Sequence, residues 1–364
     1  MSFSGYRSRS REPQAGGLDN FRVLDQSVRD PFDTPRLPES SRSFRVTVFA
    51  YHAGLSLLES RKSREALYQL ISETYRLTPY RTRKTFIWTG NLQTDRDRTH
   101  QLVDSFLSKC RTDPPNITIS DRIKGEGLAI RVNWPGLLEA RDPNAYSPKY
   151  AATFRINKSL VDAAVSVAES GDVEGFQKYL FLLTQATAHE LVHMIMGYLF
   201  GSSDTLTPPL LNYPPGGANS PQGESGRYWE QKVFGCFVEA YYDPRSPLGT
   251  SQTGILFAVL DGRRYVPIAS TTIQRFLQLD FSQPMVLPNQ KSQRILQGAK
   301  PMEDIREASR QPDFRGDLTT YFLTINSLPT IRVSRDSLAQ IMQMAFDPYL
   351  VRPPPMTGSS RSRR

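Results

Sequence analysis

One stretch of the chain, from Tyr179 to Phe200, constrains the fold more than any other. Its sequence is YLFLLTQATAHELVHMIMGYLF, which contains no Lys, Arg or Asp and has one formal charge, at Glu190. A helix that is apolar on all sides is buried, either in the core of a domain or in a membrane. Three ionisable side chains cluster in the second half of the stretch, and each would be costly in hydrocarbon. The stretch therefore predicts a central helix that is buried in protein.

The ionisable residues of this stretch have the spacing His-Glu-x-x-His. His189 and His193 are one helical turn apart on the same face, so both imidazoles can reach one zinc ion at about 2.0–2.1 Å. Glu190 lies about 100° further round the helix, where its carboxylate can reach a zinc-bound water without binding the metal. Zinc lowers the pKa of that water and polarises a carbonyl, and the carboxylate passes the water's proton to the leaving amine. The spacing predicts one zinc ion per chain, with Glu190 as general base.

The motif from His189 to His193, HELVH, resembles the active-site helix of zincin metallopeptidases. The metzincin branch of that family would need Gly at position 196 and His at position 199, where this chain has Met196 and Leu199. No His follows position 193. The resemblance therefore implies a carboxylate as the third ligand, as in the gluzincin branch. The alternative is a core helix whose two histidines hydrogen-bond to their neighbours and bind no metal.

The segment at 223–243, GESGRYWEQKVFGCFVEAYYD, offers three carboxylates for that role: Glu224, Glu230 and Glu239. Glu224 begins a predicted helix, and the two small residues after it allow a close approach to the metal helix. We interpret Glu224 as the third ligand and Glu230, about 240° further round, as the partner of a ligand or the alternative ligand. The alternative for Glu224 is an exposed first-turn acid favoured by the helix dipole. The segment departs from the Asn-Glu-x-x-x-Asp pattern that gluzincins commonly have.

The rest of the chain mixes strands and helices. Strands are predicted at 44–51, 85–90, 116–120, 128–133 and 151–157, helices at 54–77, 95–109, 159–169, 271–279, 302–309 and 335–346, and a hairpin at 254–268. The pattern predicts an α+β, zincin-like fold, with a mixed-sheet lobe packed on the central metal-binding helix and a smaller, mostly helical C-terminal part.

Two further features of the chain bear on the expected cleft. The strand at 151–157 is either an edge strand that pairs with extended substrate or an ordinary interior strand. Arg264 and Tyr265 follow the predicted hairpin turn. Because zincins often use a Tyr, His or Arg near the cleft to steady the oxyanion, we consider both residues as candidate oxyanion stabilisers.

The ends of the chain and one internal segment differ in composition from the rest. Residues 1–40 and 351–364 lack apolar periodicity and predict disordered tails on a single domain at 41–350. Residues 201–223 form a predicted loop rich in Gly, Pro and Ser, either a cleft rim or lid, or a disordered insertion. Seven arginines in the two tails account for most of the net charge of +9, so the domain itself is nearly neutral. That balance argues against a nucleic-acid-binding domain, although the Arg/Ser tails could contact RNA weakly.

These observations favour an enzyme that acts inside the cell. The chain has two cysteines and no apolar signal segment after Met1, so we expect reduced thiols, a cytoplasmic or nuclear location and no membrane partner. We expect a zinc metallopeptidase that hydrolyses a peptide or protein substrate. One alternative is a catalytically silent zincin-fold interaction protein. Another is an RNA-associated protein in which the central helix is only structural.

Overall fold

The computed structural model describes residues 17–25, 36–79, 91–132, 145–201, 207–211, 223–260, 264–286, 290–292, 300–306 and 329–347. Within these ranges the fold is α+β, as predicted. In chain order its elements are β1 (Leu18–Phe21), β2 (Val23–Asp25), α1 (Arg42–Glu59), α2 (Arg61–Leu77), α3 (Arg96–Thr112), β3 (Asn116–Ser120), β4 (Gly127–Arg131), α4 (Pro148–Ala151), β5 (Ala152–Asn157), α5 (Lys158–Ser170), α6 (Val173–Phe200), α7 (Ser225–Phe234), β6 (Phe237–Tyr241), β7 (Ile255–Leu260), β8 (Arg264–Pro267), α8 (Ser270–Leu277), α9 (Met302–Ile305), β9 (Ile331–Val333) and α10 (Arg335–Gln343).

The central helix α6 is the longest element and carries the His-Glu-x-x-His motif. It begins after Asp172, whose side chain accepts the N–H of Gly175, and ends at Gly201, whose positive φ of 68° suits glycine. Most of its side chains are buried, and it packs against α1, α5 and α7. The predicted buried helix is therefore confirmed. Among the described residues, no helix combines the length and the hydropathy needed to cross a membrane.

The strand predicted at 44–51 is wrong, because this segment belongs to helix α1. Ser41 caps the helix by accepting the N–H of Phe44, and 14 of the 18 helical residues are buried. A segment that is buried on nearly every side has no polar face. The spacing of its apolar residues is then compatible with a strand, which has a period of two, as well as with a helix, which has a period of 3.6. The packing of α1 along α6 overrides the preference of its β-branched residues for strands. The predicted helix at 54–77 is divided at Ser60, which ends α1 and caps α2.

A four-stranded sheet with the order β2-β3-β5-β4 packs beside the central helix. Strands β2, β3 and β5 are parallel, whereas β4 runs antiparallel to β5. The predicted strand at 151–157 is therefore an interior strand, and its interpretation as an edge strand is wrong. The edge strand is β4, which lies against α6. The strands predicted at 116–120 and 128–133 are confirmed as β3 and β4, and the helices at 95–109 and 159–169 as α3 and α5.

The prediction that residues 1–40 are disordered is wrong for residues 18–25. Leu18 and Phe21 of β1 are fully buried, and β1 pairs with β9 more than 300 residues later. Strand β2 completes the four-stranded sheet. Both strands are short and are surrounded by polar residues in the sequence. Their burial depends on distant partners, so local periodicity gives no signal for them.

The C-terminal part contains a three-stranded antiparallel sheet, β6-β7-β8, in addition to its helices. The predicted hairpin is confirmed as β7 and β8, and the predicted helices at 271–279, 302–309 and 335–346 correspond to α8, the short α9 and α10. Among the described residues of this region, strands and helices contribute comparable shares, so its description as mostly helical is only partly right. The predicted strand at 85–90, the hairpin turn, residues 307–309 and most of the 201–223 loop lie outside the described residues.

Candidate metal centre

The two histidines of the motif point at a common position on the side of α6. Nε2 of His189 lies 3.2 Å from Nε2 of His193. Two nitrogens at about 2.0–2.1 Å from one tetrahedral metal ion would be separated by roughly 3.3 Å. The observed separation therefore fits two ligands of a single zinc ion.

The second ring nitrogen of each histidine contacts a different side chain. Nδ1 of His189 is 2.6 Å from Oε1 of Glu230, and Nδ1 of His193 is 3.1 Å from Oγ of Ser225. A carboxylate or a hydroxyl oxygen that accepts the Nδ1 proton selects the tautomer in which Nε2 carries a lone pair. With Nδ1 as the donor in both rings, the Nε2 lone pairs would face the shared position.

Glu224 brings a carboxylate oxygen to the same position. Its Oε1 is 3.5 Å from Nε2 of His189 and closer still to Nε2 of His193. Its Oε2 accepts the backbone N–H of Arg227 at 2.5 Å and thereby caps α7. The alternative of an exposed first-turn acid is wrong, because Glu224 is the half-buried N-cap of α7, with one oxygen on the cap and the other at the shared position.

Glu230 lies behind His189, away from the shared position. It is 4% exposed, and its second oxygen accepts the N–H of Val238 at 3.1 Å. The structure therefore puts Glu230 where a partner of a ligand would be, rather than beside Nε2. Both oxygens of this buried carboxylate have hydrogen-bond partners, so its orientation is fixed.

The first turn of α7 approaches α6 so closely that only glycine fits at one position. A Cβ added at Gly226 would lie 2.5 Å from Nε2 and from Cε1 of His189. A larger residue would push the imidazole away from Glu224. The small residues seen in the sequence after Glu224 thus allow the close approach that was expected.

Glu190 stands beside the donor cluster and is held by the edge strand β4. Its Oε2 accepts the backbone N–H of Ala129 at 2.7 Å. One of its carboxylate oxygens lies within 4.8 Å of the ligand nitrogens of His189 and His193. Glu190 therefore lies beside the position that the histidines share.

The charges of the cluster support one another. Burial acts to lower the pKa of His189, but the carboxylates of Glu224 and Glu230 outweigh it and hold this pKa well above its usual value. Burial acts to raise the pKa of Glu224, but the two imidazoles outweigh it and hold this pKa well below its usual range. The cluster therefore favours a positive charge between its carboxylates, which protons on the imidazoles or a divalent cation would supply.

A cavity of about 290 Å³ opens beside the cluster, near the lower end of the range for ligand pockets. His189, Glu190, Glu224 and Glu230 line it, together with Glu239 of β6. Glu239 accepts a hydrogen bond from the hydroxyl of Tyr241 and has no contact with the histidines among the described residues. The cavity places the donor cluster within reach of a ligand.

The two candidate oxyanion stabilisers are not among the residues that line this cavity. Tyr265 lies on β8, two strands away from β6, and its ring packs edge-on against Tyr241 and Phe257. Arg264 is exposed at the start of the same strand. The structure therefore does not bring Arg264 or Tyr265 to the donor cluster.

Sequence reasoning did not assign a role to three residues that the structure brings to the cluster or the cavity. Ser225 contacts His193, and Gln185 and Arg227 line the cavity. Gln185 precedes His189 by four residues, so helical periodicity could have placed it on the same face. The contact of Ser225 depends on how α7 docks on α6, which the sequence does not reveal. No family model, characterised protein or solved structure matches the chain.

Proposed function

We propose that the chain is a zinc-dependent, zincin-like metallopeptidase. The observation that carries this proposal is the convergence of Nε2 of His189, Nε2 of His193 and Oε1 of Glu224 on one position, while Glu230 and Ser225 hold the opposite ring nitrogens. The same three atoms can also share protons, with an Nε2–H group donating to Oε1 of Glu224, so the zinc measurement below is what separates a metal centre from a hydrogen-bonded cluster.

His189, His193 and Glu224 would hold the metal. When bound, zinc supplies Lewis acidity, which polarises a carbonyl group and lowers the pKa of a water molecule. Three protein ligands are the number that catalytic zinc sites commonly have. Structural zinc sites are closed by four protein ligands, so this donor set favours catalysis over a purely structural role.

Glu190 acts as the general base in this proposal. Its carboxylate takes a proton from the attacking water, whose oxygen forms the new bond to the carbonyl carbon of the peptide. The same carboxyl group gives that proton to the leaving nitrogen when the C–N bond breaks, so the reaction releases an amine and a carboxylic acid. The hydrogen bond from Ala129 fixes the carboxylate before substrate arrives.

The edge strand β4 is the element that would align an extended substrate. Backbone groups of Glu126 and Val132 bond to β5, so the alternating groups of Gly127, Ala129 and Arg131 face away from the sheet. An extended peptide can pair with outward backbone groups such as those of Gly127, whereas the N–H of Ala129 is already donated to Glu190. The strand would then carry the scissile bond past Glu190, which already contacts Ala129.

The first test compares the wild type with His193→Ala and Glu190→Gln. We expect about one zinc per wild-type chain by elemental analysis, close to none in His193→Ala, and wild-type content in Glu190→Gln. Hydrolysis of a synthetic peptide library should be lost in His193→Ala. In Glu190→Gln it should fall by about 10²- to 10⁴-fold, the usual contribution of a general base.

Two results of this test would reject the peptidase. A wild type that binds no zinc after reconstitution would remove the metal centre. A wild type that holds zinc but cleaves no peptide, with Glu190→Gln behaving identically, would favour a silent interaction protein instead.

A further inference from the structure

The wall of the cavity carries more negative charge than the metal cluster needs. In addition to the carboxylates at the cluster, Glu126, Glu239 and Glu303 line it. One arginine, Arg227, also lines it, with its guanidinium over the ring of Phe237 at 5.0 Å. The carboxylates on this wall therefore outnumber the cations.

These three carboxylates differ in how they are neutralised. Glu126 is ion-paired with the guanidinium of Arg306, 2.5 Å away. Glu239 accepts one hydrogen bond from the hydroxyl of Tyr241, which carries no charge. Glu303 is exposed and has no ion pair or hydrogen bond to the described residues. Glu239 and Glu303 therefore face the cavity without a cation from the described part of the chain.

A second, independent feature of the same wall is the amide of Gln185. This residue is 4% exposed and lines the cavity, yet neither its amide nitrogen nor its oxygen has a hydrogen-bond partner among the described residues. A buried polar group without a partner loses its bonds to water and gains nothing in return. An amide offers both a donor and an acceptor, which are the groups that a peptide backbone presents.

We propose that this cavity binds a cationic group of a peptide substrate, with Glu239 and Glu303 facing the cation and the Gln185 amide turning to bond the peptide backbone. The proposal rests on the proposed peptidase function and names its substrate class. The cation is an ammonium or guanidinium group, which a Lys or Arg side chain or a free N-terminus can supply. Gln185 lies one turn before His189, so a backbone that contacts its amide also passes the donor cluster.

The experiment measures peptide binding separately from hydrolysis. Zinc-loaded Glu190→Gln protein is titrated by fluorescence anisotropy with N-acetylated peptides that carry Lys, norleucine or Glu at each position in turn. One further peptide has a free N-terminus and no basic side chain. We expect the best Lys peptide to bind about tenfold more tightly than the norleucine peptide, or the free-N-terminus peptide to bind about tenfold more tightly than its acetylated form. The first result identifies a side chain as the source of the cation, and the second identifies the N-terminus.

Charge-neutral variants then test which residues select the cation. In the Glu190→Gln background, Glu239→Gln with Glu303→Gln should abolish the tenfold preference. The control is Asp336→Asn, an exposed acid on α10 outside the cavity, which should keep the preference. Equal binding of cationic and neutral peptides by the parent protein would overturn the proposal, as would a preference that survives the double variant.

The variant Gln185→Met tests whether the amide of Gln185 binds the ligand or stabilises the fold. Methionine fills a similar volume without polar atoms, so we expect Tm to rise by about 2–4 °C while peptide binding weakens several-fold. A structural role would instead lower Tm.

The two proposals fail in different ways. Cleavage of peptides without a cationic preference would overturn this inference and leave the peptidase intact. Cation-selective binding without any cleavage by the wild type would support this inference and reject the peptidase.

Discussion

Two clusters in this protein combine histidine with glutamate, one buried and one half-buried beside a cavity, and they satisfy their charges differently. The arginine cluster consists of His52, Ser56, Glu59 and Arg111. Arg111 forms two hydrogen bonds with Glu59, at 2.8 and 2.6 Å, and further bonds with Nδ1 of His52 and Oγ of Ser56. The guanidinium therefore supplies the cation for this cluster from within the chain.

The metal cluster of His189, His193, Glu224 and Glu230 contains no such cation. Its carboxylates contact imidazoles and backbone N–H groups, and among the described residues neither of them is paired with Lys or Arg. The ring pKa values differ accordingly. Burial and the adjacent Arg111 lower the pKa of His52 to about 3, whereas neighbouring carboxylates raise that of His189 despite burial.

Histidine and glutamate in one cluster therefore do not by themselves make a metal site. What distinguishes the two clusters is the source of the positive charge and the direction of the free ring nitrogen. In the arginine cluster the histidine accepts a bond from a fixed guanidinium, so the cluster is complete. In the metal cluster two ring nitrogens and a carboxylate oxygen face one another, so in the function proposed here a cation from solution would complete the arrangement.

The largest expected effect comes from removing the internal cation. Arg111→Met should lower the free energy of unfolding by about 3–5 kcal/mol, because it leaves Glu59 buried without a partner charge. Urea unfolding measures the change. The folded fraction should keep about one zinc per chain, since the two clusters share no residue. Adding Glu59→Gln should restore part of the stability, and a loss below about 1 kcal/mol in Arg111→Met would contradict a charge-dependent cluster.

The next effect concerns the residues behind the metal ligands. Glu230→Gln keeps an acceptor for Nδ1 of His189 but removes the charge, so zinc affinity should fall by about 10- to 100-fold. Ser225→Ala, behind His193, should cause a smaller loss because the serine is uncharged. Competition with a fluorescent zinc chelator measures both. Glu59→Gln is the matched control and should leave zinc affinity unchanged. Equal losses of zinc affinity in Glu230→Gln and Ser225→Ala would argue against a role for the charge of Glu230.

The expected effect that is smallest per measured step is the pH dependence that His52 gives to stability, because it is spread over several pH units. In the folded protein His52 stays neutral down to its pKa of about 3, whereas in the unfolded chain it binds a proton below about pH 6.5. The unfolded state therefore binds more protons between these values. As the pH falls from 6.5 toward 3, this residue should lower the free energy of unfolding by about 1.4 kcal/mol per pH unit.

Comparing the wild type with His52→Gln isolates this contribution. Glutamine can still accept a bond from Arg111 but does not titrate, so urea unfolding of zinc-saturated protein should show a shallower pH dependence between pH 6 and 4. The same slope in both proteins would mean that His52 is protonated in the folded state.

The sequence by itself determined the central helix and the three residues of its motif. The absence of a polar face required burial, and the four-residue spacing of His189 and His193 placed their rings on one side of α6 whatever the rest of the chain does. Glu224 and Glu230 were also separable from the sequence, because their positions on one helix point in different directions. These features depend only on local helical geometry.

The tertiary structure alone decided which groups face the motif. The contact of Ser225 with His193, the close approach of Gly226 to His189 and the bond from Ala129 to Glu190 join residues that are 32 to 61 positions apart or belong to different elements. The helical state of α1 and the edge position of β4 likewise depend on what packs beside them. Local periodicity reports how a segment can bury its own side chains, but not which distant segment covers them, so these contacts required the folded structure.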